Sequence, residues 1–198
     1  MRRLLLSMVL VACSGSDEKA AAPADSAVED DAGKPPIDPK LFDCSVKVEP
    51  VRRSSVPEAC LRDPKCKTRL VSGHRGAGGD LGRIAPEDTV SAIRAAVVMG
   101  LDFVETDPRP TKDGVLVNFH DPSVERTTTG TGEVANMTLA EVQALKLKTD
   151  LPGDWSCEKV PAFVEILKAA RGRAVVLVDA NKTSRVDLLV QAIKDADA

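Results

Sequence analysis

The chain has only two histidines, and each closes a short apolar run: RLVSGH (69–74) ends at His74 and VLVNFH (115–120) ends at His120. Two more apolar runs end on acids, LDFVETD (101–107) on Glu105 and Asp107, and AVVLVDANK (174–182) on Asp179. Imidazoles can take and give protons near neutral pH, so a pair of them can serve as acid and base. Arg75, next to His74, offers a planar forked donor that matches phosphate oxygens. Three carboxylates aimed at one place repel one another unless a cation sits between them. Oxygen-only donors suit a hard divalent ion, Ca2+ or Mg2+, better than zinc. Together these residues can carry out displacement at phosphorus.

The elements that position them follow from periodicity. In a strand, alternate residues share a face. Leu70, Ser72 and His74 fall on one face, as do Phe103, Glu105 and Asp107; Leu116, Asn118 and His120; and Leu177, Asp179 and Asn181. In each set the polar members come last. Between the runs lie helical patterns: EDTVSAIRAAVVMG (87–100) with a glycine stop, MTLAEVQALK (137–146) with Thr138 as N-cap, PAFVEILKAARG (161–172), and SRVDLLVQAIKDAD (184–197) with Ser184 as N-cap. Apolar strands alternating with helices predict a parallel β/α fold, in which chemistry gathers at the carboxyl ends of the strands.

Taken in order, HRGA (74–77), APEDT (85–89), DFVETD (102–107), TKDGVLVNFHDPSVERTTTGTGEV (111–134), MTLAEVQAL (137–145) and VVLVDANK (175–182) resemble the glycerophosphodiester phosphodiesterase family. The resemblance implies a (β/α)8 TIM barrel, of which residues 69–198 carry about the first four β/α units. It implies metal-dependent hydrolysis of glycerophosphodiesters to glycerol 3-phosphate and an alcohol. By the same resemblance His74 and His120 form the acid/base pair, Arg75 and Lys182 bind the substrate phosphate, and Glu105, Asp107 and Asp179 hold Ca2+ or Mg2+. The pattern differs at several positions. Asp88 replaces the asparagine of the usual PENT, and Pro108 follows Asp107. The acid on the fourth strand is Asp179 rather than glutamate. Asn181 stands where the family has lysine, with Lys182 one place late and, in a continuing strand, on the other face. A phospholipase D or sphingomyelinase D-like activity shares this metal arrangement, and Asn181 motivates a non-catalytic surface lipoprotein with a vestigial phosphate or metal pocket as a further alternative. Four units would leave two strand edges unpaired, so a homodimer is the expected assembly if the chain is complete.

The segments before residue 69 have other characters. Residues 1–13, MRRLLLSMVLVAC, join two arginines to an apolar run too short to cross a bilayer, which needs ~20 helical residues. The run ends in a lipobox-like Leu-Val-Ala-Cys, which predicts a lipoprotein signal, acylation of Cys13 and anchoring in a bacterial cell envelope. Residues 14–40 are acidic and rich in Ala, Pro and Asp, the composition of a tether. Residues 41–68 form a cysteine-containing extension. Cys44, Cys60, Cys66 and Cys157 predict two disulfides in an exported protein, with Cys60 to Cys66 the most local of the three connectivities. A net charge of -3 without basic clusters excludes nucleic acid as the expected partner.

Overall fold

The structure is a computed structural model, which describes residues 37–51, 60–79 and 84–198. The signal-like residues 1–13, with Cys13, and most of the acidic tether lie outside the described residues. The end of the tether enters a 3-10 turn at Pro39–Leu41, capped by the Asp38 side chain. Among the described residues no helix is long and apolar enough to cross a membrane.

A parallel sheet forms the centre. Strand β1 (Ser72–Gly73) pairs with β2 (Phe103–Thr106), and β2 pairs with the last strand, β5 (Val175–Val178). Helix α1 (Val90–Met99) makes the first crossover. Thr89 caps its N-terminus by accepting from the Ala92 N–H, and Gly100, at φ 75°, closes it in the left-handed conformation that only glycine takes without cost. Its buried face, Ala92, Ile93, Ala95, Ala96 and Val97, is mostly small and packs closely on its neighbours. Helix α3 (Phe163–Ala170) buries Phe163, Ile166, Leu167 and Ala170, the stripe expected of an amphipathic helix. Helix α4 (Val186–Ala196) packs on α3 through Leu189 and Ala196. Its N-cap is Arg185 rather than the expected Ser184.

One expectation of the sequence is corrected. The run ending at His120 is not a parallel barrel strand. Strand β3 (Pro108–Pro110) and strand β4 (Leu116–Asn118) form an antiparallel hairpin, with Pro108 opposite Asn118 and Pro110 opposite Leu116. The physical reason is the connection. Only the turn at 111–115 joins them, and a parallel pair needs a crossover of a dozen or more residues. Thr111 and Asp113 close that turn by hydrogen bonds, with Gly114 at φ 77°. The described residues therefore hold three parallel strands plus a hairpin, not four parallel strands. The hairpin has its own small core: Val117, Phe119, Val124, Val134, Val142 and Val160. The short helix α2 (Leu139–Gln143) covers it, started by the expected Thr138 in a full capping box with Glu141.

The cysteine-containing extension is fastened to this body. Phe42 is fully buried in the main core and stacks on Trp155. Cys44 is bonded to Cys157, and Cys60 to Cys66, as the cysteine count led one to expect.

Candidate active site

Period and register together bring the acids to one place. Glu105 pairs with Leu177 and Thr106 with Val178, so Asp107 and Asp179 lie just beyond the last rungs of adjacent strands, on the face of Glu105 and Leu177. The Asp179 N–H donates to the Thr106 carbonyl. Glu105, Asp107 and Asp179 each offer an oxygen, and these oxygens lie within 4.8 Å of one another.

The turn after β1 is folded onto the same spot. The Arg75 N–H donates to the Glu105 carboxylate at 2.9 Å, and the Gly76 N–H donates to the Glu105 carbonyl at 3.1 Å. Arg75 reaches this position at φ 52°, a left-handed conformation costly for an arginine and typical of strain held at functional sites. Its Nε stands 4.0 Å from Asp107. His74 precedes it, exposed, with its ring against Gly79, where any side chain would collide with the imidazole.

Lys182 joins them against the strand pattern. Strand β5 stops at Val178, and the Asp179 side chain accepts from the Asn181 N–H to cap a 3-10 turn at Ala180–Lys182. That turn brings the Lys182 Nζ to 3.6 Å from both Asp107 and Asp179, while Asn181 is exposed. The lysine that is one place late in sequence thus stands beside the acids.

The electrostatics of the acids are those of a site short of positive charge. Burial, and then the Asp107 charge, push the Glu105 carboxyl up to about 7 from 4.5. Burial also raises Asp107, although His120, Lys182 and Arg75 oppose the shift through their charges. Both Asp107 carboxylate oxygens are buried and accept no hydrogen bond among the described residues. Orphaned, buried, anionic oxygens beside two further carboxylates fit a hard divalent cation held by Glu105, Asp107 and Asp179.

Behind Asp107 lies a polar layer that the sequence did not reveal. Asn118, on β4, accepts from the Asp107 N–H at 2.8 Å and donates to Asp88 Oδ1 at 2.9 Å. Asp88 sits at φ 60°, where aspartate and asparagine are tolerated better than most residues. Burial, reinforced by the Asp107 and Glu87 charges, raises its carboxyl well above the usual range, at the position where the family pattern has an amide. The sequence placed Asn118 among the polar members of its strand face but gave no sign of its two partners.

His120 ends the hairpin strand, and its carbonyl accepts two bonds from Arg109. Its Nδ1 lies 2.7 Å from Asp121 Oδ1. Arg126 bonds Asp121 Oδ2 through Nε at 2.6 Å and grips Glu87 with both terminal nitrogens, at 2.9 and 2.6 Å. Glu87 also accepts from Arg75 at 3.1 Å. Glu87, Asp121 and Arg126 were not singled out in the sequence. They lie within the quoted motifs, but the Glu87–Arg126 pairing spans 39 residues.

Acids gathered at the strand ends of a parallel β/α sheet are the arrangement of the TIM-barrel class, and solved structures agree in fold. A glycerophosphodiester phosphodiesterase from Agrobacterium tumefaciens is 39% identical, with a TM-score of 0.50 over 56% of this chain and 46% of that one. A glycerophosphoryl diester phosphodiesterase from Parabacteroides distasonis is 32% identical, with a TM-score of 0.59 over 75% of this chain and 51% of that one. The model of the glycerophosphoryl diester phosphodiesterase family matches residues 74–194, and the chain belongs to that family. Among relatives, a glycerophosphodiester phosphodiesterase of Caldanaerobacter subterraneus is 36% identical over 99 residues, covering 50% of this chain and 39% of that protein. Human glycerophosphodiester phosphodiesterase 1 is 39% identical over 94 residues, covering 46% of this chain and 27% of that protein. The chain spans less than half the length of the curated relatives it matches.

Proposed function

We propose that the protein hydrolyses glycerophosphodiesters to glycerol 3-phosphate and an alcohol, with His74 and His120 as the proton-transfer pair. The observation that carries this reading is the meeting of Arg75, Lys182 and three carboxylates at the ends of β2 and β5, with the His120 charge felt at Asp107. A structure similar to this one, an Oleispira antarctica phosphodiesterase at 26% identity and a TM-score of 0.53, contains sn-glycerol-3-phosphate as product.

In this mechanism Glu105, Asp107 and Asp179 hold a divalent ion, Mg2+ or Ca2+. When bound, the ion polarises a phosphoryl oxygen and offsets the charge that develops there. Arg75 and Lys182 hold the remaining phosphate oxygens. One imidazole accepts a proton from the attacking oxygen, a water's or the neighbouring glycerol hydroxyl's, as that oxygen bonds to phosphorus. In the second case water then opens the cyclic phosphate to glycerol 3-phosphate. The other donates a proton to the alcohol oxygen as the P–O bond breaks. Asn118 keeps the Asp107 backbone in place.

The test is product analysis with the native chain in the presence of each ion. Glycerophosphocholine should yield glycerol 3-phosphate and choline, and a His120→Ala control should not. Turnover of lysophosphatidylcholine in its place would favour the phospholipase D-like reading. Binding of inorganic phosphate with no turnover of either diester would favour the non-catalytic lipoprotein. The lipobox-like ending at Cys13 supports anchoring in a bacterial envelope, since stable attachment takes two or more acyl chains. Cys13→Ser should release the protein from membranes, and unchanged retention would refute the anchor.

A further inference from the structure

His120 and Arg75 belong to segments far apart in sequence, yet a single file of charges joins them. It runs from the His120 ring to Asp121 at 2.7 Å, to Arg126 at 2.6 Å, to Glu87 at 2.6 and 2.9 Å, and to Arg75 at 3.1 Å. Arg126 is its middle member. All three of its guanidinium nitrogens are engaged, one on Asp121 and two, in parallel, on Glu87. A planar fork can hold two carboxylates at fixed angles, whereas a lysine ammonium is a point charge and cannot. Glu87, with a side chain only 10% exposed, is gripped from both sides, by Arg126 and by Arg75. Arg126 itself is 44% exposed and borders an open cavity of about 250 Å³, whose wall also includes Glu87, Thr127 and Lys148.

We propose that Arg126 is a positioning residue that fixes the His120 ring through Asp121 and the Arg75 guanidinium through Glu87, so that the proton-transfer group and the phosphate-binding group keep one spacing. The inference deepens the diesterase reading and rests on it for its kinetic consequences, because Arg126 touches neither the phosphate-binding position nor the three carboxylates. Misplacing a reacting group by about 1 Å can cost 10²-fold in rate. Each arm should then have its own signature. Asp121→Asn, which loosens His120 while Glu87 still holds both Arg126 and Arg75, should lower kcat with little change in KM. Glu87→Gln, which loosens Arg75, should raise KM and weaken the binding of inorganic phosphate. Arg126→Ala should do both, and Arg126→Lys should restore neither fully.

The decisive experiment is rescue. Guanidinium ion at millimolar concentration, far below denaturing levels, can enter the exposed cavity left by Arg126→Ala. It should restore a measurable part of kcat and of phosphate affinity, while native protein and Asp121→Asn do not respond. A second readout needs no turnover. With two histidines in the chain, the ring-nitrogen NMR signals are two sets, and the Nδ1 proton signal of His120 should broaden in Arg126→Ala and sharpen again with guanidinium. Unchanged kcat, KM and phosphate affinity in Arg126→Ala would overturn the proposal. So would a loss that tracks a fall in melting temperature and ignores guanidinium. If the native chain turns over no diester, the functional reading fails alone, and phosphate titration and the imidazole signals still decide the role of Arg126.

Discussion

Two charged clusters sit at the same mouth and are built in opposite ways. In the first, Glu105, Asp107 and Asp179 crowd negative charge together, Glu105 is raised to about 7, and Asp107 has two buried oxygens without a hydrogen bond. In the second, Asp121, Arg126 and Glu87 saturate one another. The Arg126 hydrogen bond, outweighing burial, holds Asp121 down at about 2. An incomplete cluster is built to receive something, and a complete one to hold its members still. The first is therefore read as the binding site and the second as its frame.

The comparison breaks most visibly under substitution of Asp107. Asp107→Asn should reduce diester hydrolysis by at least about 10³-fold, since a bound ion supplies several kcal/mol of charge stabilisation in the transition state. The same change should leave the melting temperature of the metal-free protein equal or higher, because it removes a buried charge whose oxygens accept no hydrogen bond. Glu87→Gln should shift the metal-free melting temperature the other way, by stripping a partner from two arginines. Thermal denaturation in chelator measures both, and equal signs would erase the distinction between the clusters.

Next in size are the histidines. His74→Ala and His120→Ala should each lose about 10²- to 10⁴-fold in kcat, the usual worth of acid or base assistance. A nitrophenyl diester, whose leaving group needs no proton, should rescue the variant that lacks the acid. Equal rescue of both would show that the two imidazoles do not divide the work.

The smallest effect is on the pH dependence of stability, and its sign differs between the clusters. Between pH 4.5 and about 7 the folded, metal-free protein keeps a proton on Glu105 that the unfolded chain has released. Stability should therefore fall as pH rises through that window. Asp121 acts in the opposite sense, and its contribution should be lost only as pH falls from 3.8 towards about 2. Because an ion binds the deprotonated acids, the thermal shift it produces should grow from about pH 5 to about pH 8. A shift independent of pH would remove Glu105 from the ligand set.

Much of this arrangement was legible in the sequence. Period two and the polar strand ends located Glu105, Asp107 and Asp179, because alternation in a strand is a local property. Thr138 and Gly100 announced their helix ends for the same reason. Direction was read less well. The turn at Lys112, Asp113 and Gly114 was visible, yet its shortness dictates an antiparallel partner for the strand before His120, and the apolar run was given the direction of the others. Where Lys182 would lie hung on where β5 ends, which alternation alone does not decide: the strand stops at Val178 and the Asp179 cap turns the lysine back toward the acids. Asn118, Glu87 and Arg126 depend on partners far away in sequence, and no local pattern reveals such pairs.

The central proposal is that the crowded carboxylates Glu105, Asp107 and Asp179 form the site of a metal-dependent diesterase. It is tested most directly by following glycerol 3-phosphate release from glycerophosphocholine while Mg2+ or Ca2+ is titrated into metal-free native protein and into Asp107→Asn. The account predicts release that rises with the ion and saturates in the native protein, and none above background in the variant. Release at full rate without any ion, undiminished by Asp107→Asn, would contradict it.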